Sequence, residues 1–145
     1  NDMNLNSILN PIIGNVIQIK NVKESFHPAM ASYYNTLTNL NINIGYWINV
    51  TTATDLYLGG TPIDPATHPI KLNSGWNLIP YYPENTLSVD VAMQSISSYV
   101  QEVKYLDQVY FAGSINNTLN QMEPGKGYWV KVSQDCNLIY PATKK

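Results

Sequence analysis

Apolar and polar positions along the chain follow two periods. From Ser88 to Val100, Val89, Ala92, Met93, Ile96 and Val100 recur at spacings of three and four. That spacing predicts a helix with one apolar stripe. Ser88 is placed to cap it, and Asp90 falls in its first turn, where the helix dipole favours a negative charge. A second stripe, Leu5, Ile8, Leu9 and Ile12, predicts a helix from about Asp2 to Ile13. Pro11 interrupts it. Proline inside a helix costs ~3 kcal/mol, so a shorter helix broken near Asn10 is expected. Short β-branched runs predict strands at 16–20, 24–27, 46–50 and 56–58, and again at 100–104, 108–112, 128–132 and 137–140.

These elements come in two sets. Residues 36–50 align without a gap on 118–132, an offset of 82, with Thr-Leu, Gly-Tyr-Trp and a final Val identical. Upstream, Ile19-Lys20 meets Val103-Lys104 at an offset of 84. Such self-similarity is the mark of an internal repeat. Glu123-Pro124-Gly125-Lys126 suits a type II turn, with glycine at the position needing positive φ. At the matching place stands Asn41-Ile42-Asn43-Ile44, and Asn43 is expected to take the left-handed conformation there. The expected fold is α+β and β-rich: two pseudo-symmetric repeats, each of about one helix and four to five short strands. They would share one core, as a small barrel or a sandwich. The boundaries are 1–60 for the first half, 61–69 for a connector rich in turn residues, and 70–145 for the second half. Gly75-Trp76-Asn77-Leu78-Ile79 opens the second half as a strand, and nothing ahead of the first helix corresponds to it.

Composition narrows the function. The 145 residues carry a formal net charge of −2, with 8 lysines and no arginine. A pI near 5.5 without a basic cluster disfavours nucleic acid. No apolar run reaches the ~18–20 residues that cross a bilayer. Cys136 is alone, so no intrachain disulfide can form. The chain starts at Asn1 without a signal-like pattern, and we expect it to be part of a longer polypeptide.

Ile63 to Tyr81, which contains Gly75-Trp76-Asn77-Leu78-Ile79, and Ile115 to Val130, which contains Pro124-Gly125-Lys126-Gly127-Tyr128-Trp129, carry a resemblance. They resemble the two signatures of a duplicated module of large secreted and surface-attached bacterial proteins. The resemblance covers nearly the whole chain. It implies an extracellular accessory module and no known catalytic residues. The chain departs from the module at its absent first strand and at the 41–44 turn, which has no Pro-Gly.

The structural motif residues are therefore Gly45, Tyr46, Trp47, Gly75, Trp76, Asn77, Pro124, Gly125, Gly127, Tyr128 and Trp129. Trp47, Trp76 and Trp129 could form a sugar-stacking platform, but the equivalence of Trp47 and Trp129 favours a buried structural pair. The doublets Tyr33-Tyr34 and Tyr81-Tyr82 each direct one ring outward on extended backbone, so Tyr34 and Tyr82 are the candidate ligand contacts. Asp64 and His68 are four apart, yet Pro62, Pro65 and Pro69 forbid a helix that would align them. Cys136 lacks a nucleophile motif and aligns with Thr54, as a packing position would. Pro124-Gly125-Lys126-Gly127 precedes a strand and has no Ser or Thr after its lysine, so it is not a phosphate loop. Asn49-Val50-Thr51 and Asn116-Asn117-Thr118 match the glycosylation acceptor pattern, which means nothing in a bacterial source.

No cofactor, metal or catalytic set is expected. The reading is a non-catalytic bacterial surface module for adhesion, assembly or display. Its partners would be other parts of a parent protein or neighbouring subunits, one of which adds the absent strand. A carbohydrate-binding module using exposed tyrosines, with glycan as the partner, is the alternative. A cysteine hydrolase centred on Cys136 is the third class.

Overall fold

The computed structural model describes residues 3–142, and Asp2 of the expected first helix lies outside them. The chain divides into two compact units, Asn1–Thr61 and Pro62–Lys145. It is β-rich with little helix, and among the described residues no sheet closes into a barrel.

Unit 1 begins with α1 (Leu5–Leu9), followed by a 3₁₀ turn over Asn10–Asn15 that takes Pro11 in its first turn. Proline is tolerated there because the first N–H groups of a helix have no partner to lose. Asn4 caps α1, its Oδ1 accepting from the Asn6 and Ser7 N–H groups at 3.1 and 3.3 Å. β1 (Val16–Lys20), β2 (Ser25–Phe26) and β3 (Trp47–Val50) form an antiparallel sheet in the order β2-β1-β3. Leu5, Leu9, Ile12, Val16, Ile19, Phe26 and Leu37 are buried together.

Unit 2 opens with β4 (Ile70–Leu72) and β5 (Gly75–Pro80). β6 (Leu87–Ser88) leads into α2 (Val89–Ala92), and a 3₁₀ turn over Gln94–Ile96 follows. Then come β7 (Val100–Tyr105), β8 (Gln108–Phe111), β9 (Gln121–Met122), β10 (Gly127–Val132) and β11 (Cys136–Leu138). The main sheet has the order β5-β10-β7-β8, and β11 pairs β4 while β6 pairs β9. A larger buried cluster fills this unit. Each described cluster is confined to one unit, which corrects the expectation of one shared core.

Three further expectations need correction. The helix over 88–100 is short, although Val89, Ala92, Met93, Ile96 and Val100 are all buried as the stripe required. Two valines in four residues and serines at 95, 97 and 98 weaken helix propagation. Ser95 Oγ is instead used to accept the Ile139 N–H at 2.9 Å. Residues 56–58 form no strand. Their counterpart β11 forms by pairing with β4, and unit 1 has no β4 among its described residues. Leu106, not Asn43, has positive φ among the described non-glycine residues. The Asn41 side chain accepts the Asn43 N–H at 2.9 Å and Ile44 N–H bonds Asn41 O at 3.1 Å, closing the turn without a left-handed residue. At Gly125, φ is +77°, as the type II turn demands.

Register is specific in both units. β1 pairs β3 through Val16–Val50, a bulge, then Gln18–Asn49, Ile19–Ile48 and Lys20–Trp47. β7 pairs β10 through Val100–Val132, a bulge, then Glu102–Lys131, Val103–Val130 and Lys104–Trp129. Bulges sharpen local twist and leave one residue out of the ladder, here Ile17 and Gln101.

Candidate functional site

Gly-Tyr-Trp occurs twice, and in both places the tyrosine, not the tryptophan, is the inward residue. Strand alternation decides this: Tyr128, Val130 and Val132 are buried while Trp129 between them is only half-buried. Trp47 and Trp76 are exposed on their sheets. The expected buried tryptophan pair is therefore corrected. Trp129 meets Trp76 edge-on at 6.4 Å, with Lys104 Nζ 4.8 Å above the Trp76 ring. Lys20 Nζ lies 5.8 Å from the Trp47 ring. Cations over indole rings stabilise such exposed aromatics.

The tyrosine hydroxyls have a backbone task. Tyr46 Oη accepts the Asn41 N–H at 2.7 Å, and Tyr128 Oη accepts the Glu123 N–H at 2.8 Å. Each hydroxyl fastens the turn before its own strand. Gly45 is buried beneath one of these turns, and Pro124 and Gly125 form the other before β10 starts at Gly127.

Asparagines provide a second set of clamps that composition did not suggest. Asn35 Oδ1 accepts the His27 N–H at 2.8 Å, and its Nδ2 donates to His27 O at 3.2 Å. Asn117 holds Phe111 in the same two-bond manner, at 2.8 and 3.3 Å. Beside them, Thr36 Oγ1 accepts from Ser25 N–H and Thr118 Oγ1 from Val109 N–H. The signal was present, because Asn-Thr-Leu recurs at 35–37 and 117–119. Asn77 is a third clamp. It accepts the Asn73 N–H at 3.0 Å and donates to Asn73 O and Gly75 O, fixing the corner from β4 to β5 where Gly75 has φ +92°.

Of the two candidate ligand contacts, Tyr34 is 56% exposed, its ring 4.3 Å from that of Tyr33. Tyr82 is half-buried against the Tyr140 ring, and burial pushes its hydroxyl up to about 12. The two residues belong to different units. Cys136 lies opposite Leu72 in the ladder, where burial, with Asp135 beside it, raises its thiol. A raised thiol is mostly protonated at neutral pH and a weak nucleophile. Among the described residues, no three of His, Cys, Asp and Glu cluster to hold a metal, and no helix is long and apolar enough to cross a membrane.

The geometry of unit 1 differs from that of unit 2 at one edge. β10 has a strand on each side, β5 and β7. Among the described residues, β3 has β1 on one side and is the outer strand of its sheet. Ile48 is 45% exposed, whereas Val130, at the same place in its ladder, is fully buried. Leu58 is 66% exposed, whereas Tyr140 is fully buried. A groove of about 430 Å³ runs beside α1, lined by Met3, Ile8, Pro11, Leu40, Tyr57 and Leu58 among others. Ligand sites are concave and mainly apolar, and this groove and the β3 edge are the two candidate interaction surfaces of unit 1. No family model, curated protein or solved structure matches the chain.

Proposed function

We infer that the two units are copies of one repeat and that unit 1 works as a strand-accepting interaction module. The matched ladders, each with a bulge at the same step, support the first half of this reading. So do the paired asparagine, threonine and tyrosine clamps. The single observation that carries the second half is the outer position of β3, where β10 has a neighbour. An outer strand with exposed apolar residues is a template for another strand. Main-chain hydrogen bonds would supply affinity and contacts to alternate side chains would supply selectivity.

The module is non-catalytic in this reading and serves adhesion, assembly or display at a bacterial surface. Low charge, abundant asparagine and tyrosine, and the resemblance to surface modules support that setting. The test is amide exchange with and without extended, alternately apolar peptides. A peptide that seats on unit 1 slows exchange over 47–50 and fails to do so in Ile48→Pro, which removes a backbone donor. If no such peptide protects β3, the reading is wrong. Tyr34, exposed beside Tyr33, favours glycan binding as the second reading. Glycan titration of the chain and of Tyr34→Ala tests it, and absence of any binding discards it.

A further inference from the structure

We propose that the occupant of the β3 edge is the polypeptide segment that leads into Asn4, folded as a two-strand corner ending in an aromatic residue. Its class is Φ-x-Φ-x-x-Gly-x-x-Φ-Φ-Pro-aromatic, where Φ is apolar, as residues 70–81 exemplify. It lies antiparallel to β3, with its glycine opposite Val50 and its proline opposite Gly45. This rests on the reading of unit 1 as a strand acceptor and specifies what it accepts.

Register follows from unit 2. β5 meets β10 through Gly75–Val132, Asn77–Val130, Leu78–Trp129, Ile79–Tyr128 and Pro80–Gly127. β3 has the same ladder to its inner neighbour as β10, so the positions facing the occupant are Val50, Ile48, Trp47, Tyr46 and Gly45 in that order.

A single added strand would leave too much uncovered. In unit 2, β4 pairs β11 through Ile70–Leu138 and Leu72–Cys136. The counterpart residues 54–58 stand outside any strand, with Leu58 mostly exposed. The Tyr81 ring packs against Tyr128 and Tyr140 at 6.1 and 5.3 Å, and Tyr140 Oη donates to Pro80 O at 2.8 Å. Tyr46, at the place of Tyr128, is only half-buried, and Leu58, at the place of Tyr140, is mostly exposed and lines the groove. One corner therefore supplies a partner for 54–58, a strand for β3 and an aromatic ring for Tyr46.

The source follows from topology and from burial. In unit 2, the corner reaches the helix through residues 81–88, and Ser88 caps α2 as Asn4 caps α1. A second copy of this chain could donate its corner only by stripping Ile70, Leu72 and Ile79 out of a core where each is at most 2% exposed. Exposing buried apolar side chains is costly, so a segment ahead of Asn4 is favoured.

The experiment grafts a copy of residues 69–87 directly ahead of Asn4 in the full chain, in a Cys136→Ser background. Expected are a monomer and a rise of about 5 °C or more in the unit 1 unfolding midpoint. A disulfide should form between Ile48→Cys and cysteine at the graft's Asn77 position, and not with cysteine at its Ile79 position. A graft of 75–87 alone should give a smaller rise, because β4 is absent. If the grafted chain misfolds, a synthetic 69–81 peptide added to the ungrafted chain replaces it. That peptide should protect 47–50 and also 54–58 from exchange. Protection of β3 by generic alternating peptides, with no gain or crosslink from the corner, overturns this proposal and leaves the acceptor reading standing. No protection by any peptide overturns both. A dimer whose crosslink joins two copies assigns the edge to a second copy and overturns the proposal.

Discussion

β10 begins with Gly-Tyr-Trp and β3 with the tryptophan of the same tripeptide, both end in valine, and each is bound on its inner side by a strand in the same bulged register. Their surroundings diverge on the other side. β10 is flanked by β5 and its Tyr128, Val130 and Val132 are buried. β3 is an outer strand, and of its residues only Val50 is half-buried. Local sequence thus sets turn, strand and register, while burial depends on a neighbour from elsewhere in the polypeptide. Intrinsic preference gives a strand its direction, and packing against other elements gives it most of its stability.

The sharpest way to break this comparison is to truncate equivalent core positions. Leu138 is fully buried, so Leu138→Ala should cost ~2–5 kcal/mol in the unfolding of unit 2. Leu56 occupies the matching place but is half-buried, and Leu56→Ala should cost about 1 kcal/mol or less, because little cavity is left behind. Equal losses in denaturant melts would show that unit 1 is already complete.

Alkaline titration probes unit 2. Burial pushes the Tyr81 and Tyr110 hydroxyls up to about 12, Tyr110 also through its bond to Asp90, and holds Tyr140 well above the ordinary 10. A folded value above the unfolded one means that the protonated phenol is favoured in the fold. Stability is then fully present below pH 10 and falls as pH rises toward 12 and beyond. Circular dichroism should show unit 2 loosening over that window, and Tyr140→Phe should reduce the pH dependence. An unfolding midpoint that does not decrease between pH 10 and pH 12 would contradict the placement of these rings.

The asparagine clamps test the equivalence of the two units rather than their difference. Asn35→Ala and Asn117→Ala each remove the acceptor of one backbone N–H, while the carbonyls of His27 and Phe111 keep their bonds from the Met30 and Ser114 N–H groups, and each should cost about 1 kcal/mol in its own unit. Losses that differ strongly would separate the two loops. The smallest effect should have opposite signs in the two hairpins. Leu106 has φ +51°, so Leu106→Gly should gain ~1 kcal/mol by removing left-handed strain. Val22, at the matching turn position, has no positive φ, and Val22→Gly should lose up to ~1 kcal/mol through backbone entropy.

These residues also show what was legible beforehand. β1 was predicted at its observed bounds and β7 one residue short, because β-branched runs flanked by turns have one reading. The apolar stripe 89–100 named the right buried residues but the wrong secondary structure. Spacings of three and four fit a short helix, a 3₁₀ turn and a strand as well as one continuous helix, and serine hydroxyls tipped the balance. The equivalence of Trp47 and Trp129 points to a shared role but not to burial, because strand parity directs the neighbouring tyrosines inward. The unit 1 edge was legible as an absence, since nothing matches Gly75-Trp76-Asn77-Leu78-Ile79. The groove was not, because it forms from Met3, Ile8, Leu40 and Leu58, which are distant in sequence.

Site-resolved amide exchange on the monomeric chain addresses the open edge directly. In β10, with strands on both sides, consecutive amides from Trp129 to Val132 should all be protected. In β3, protection should alternate, with the amides directed away from β1 exchanging near the rate of free chain. Continuous protection of residues 47–50 to the level of 129–132, in a sample shown to be monomeric, would mean that this edge is already covered and would contradict the account.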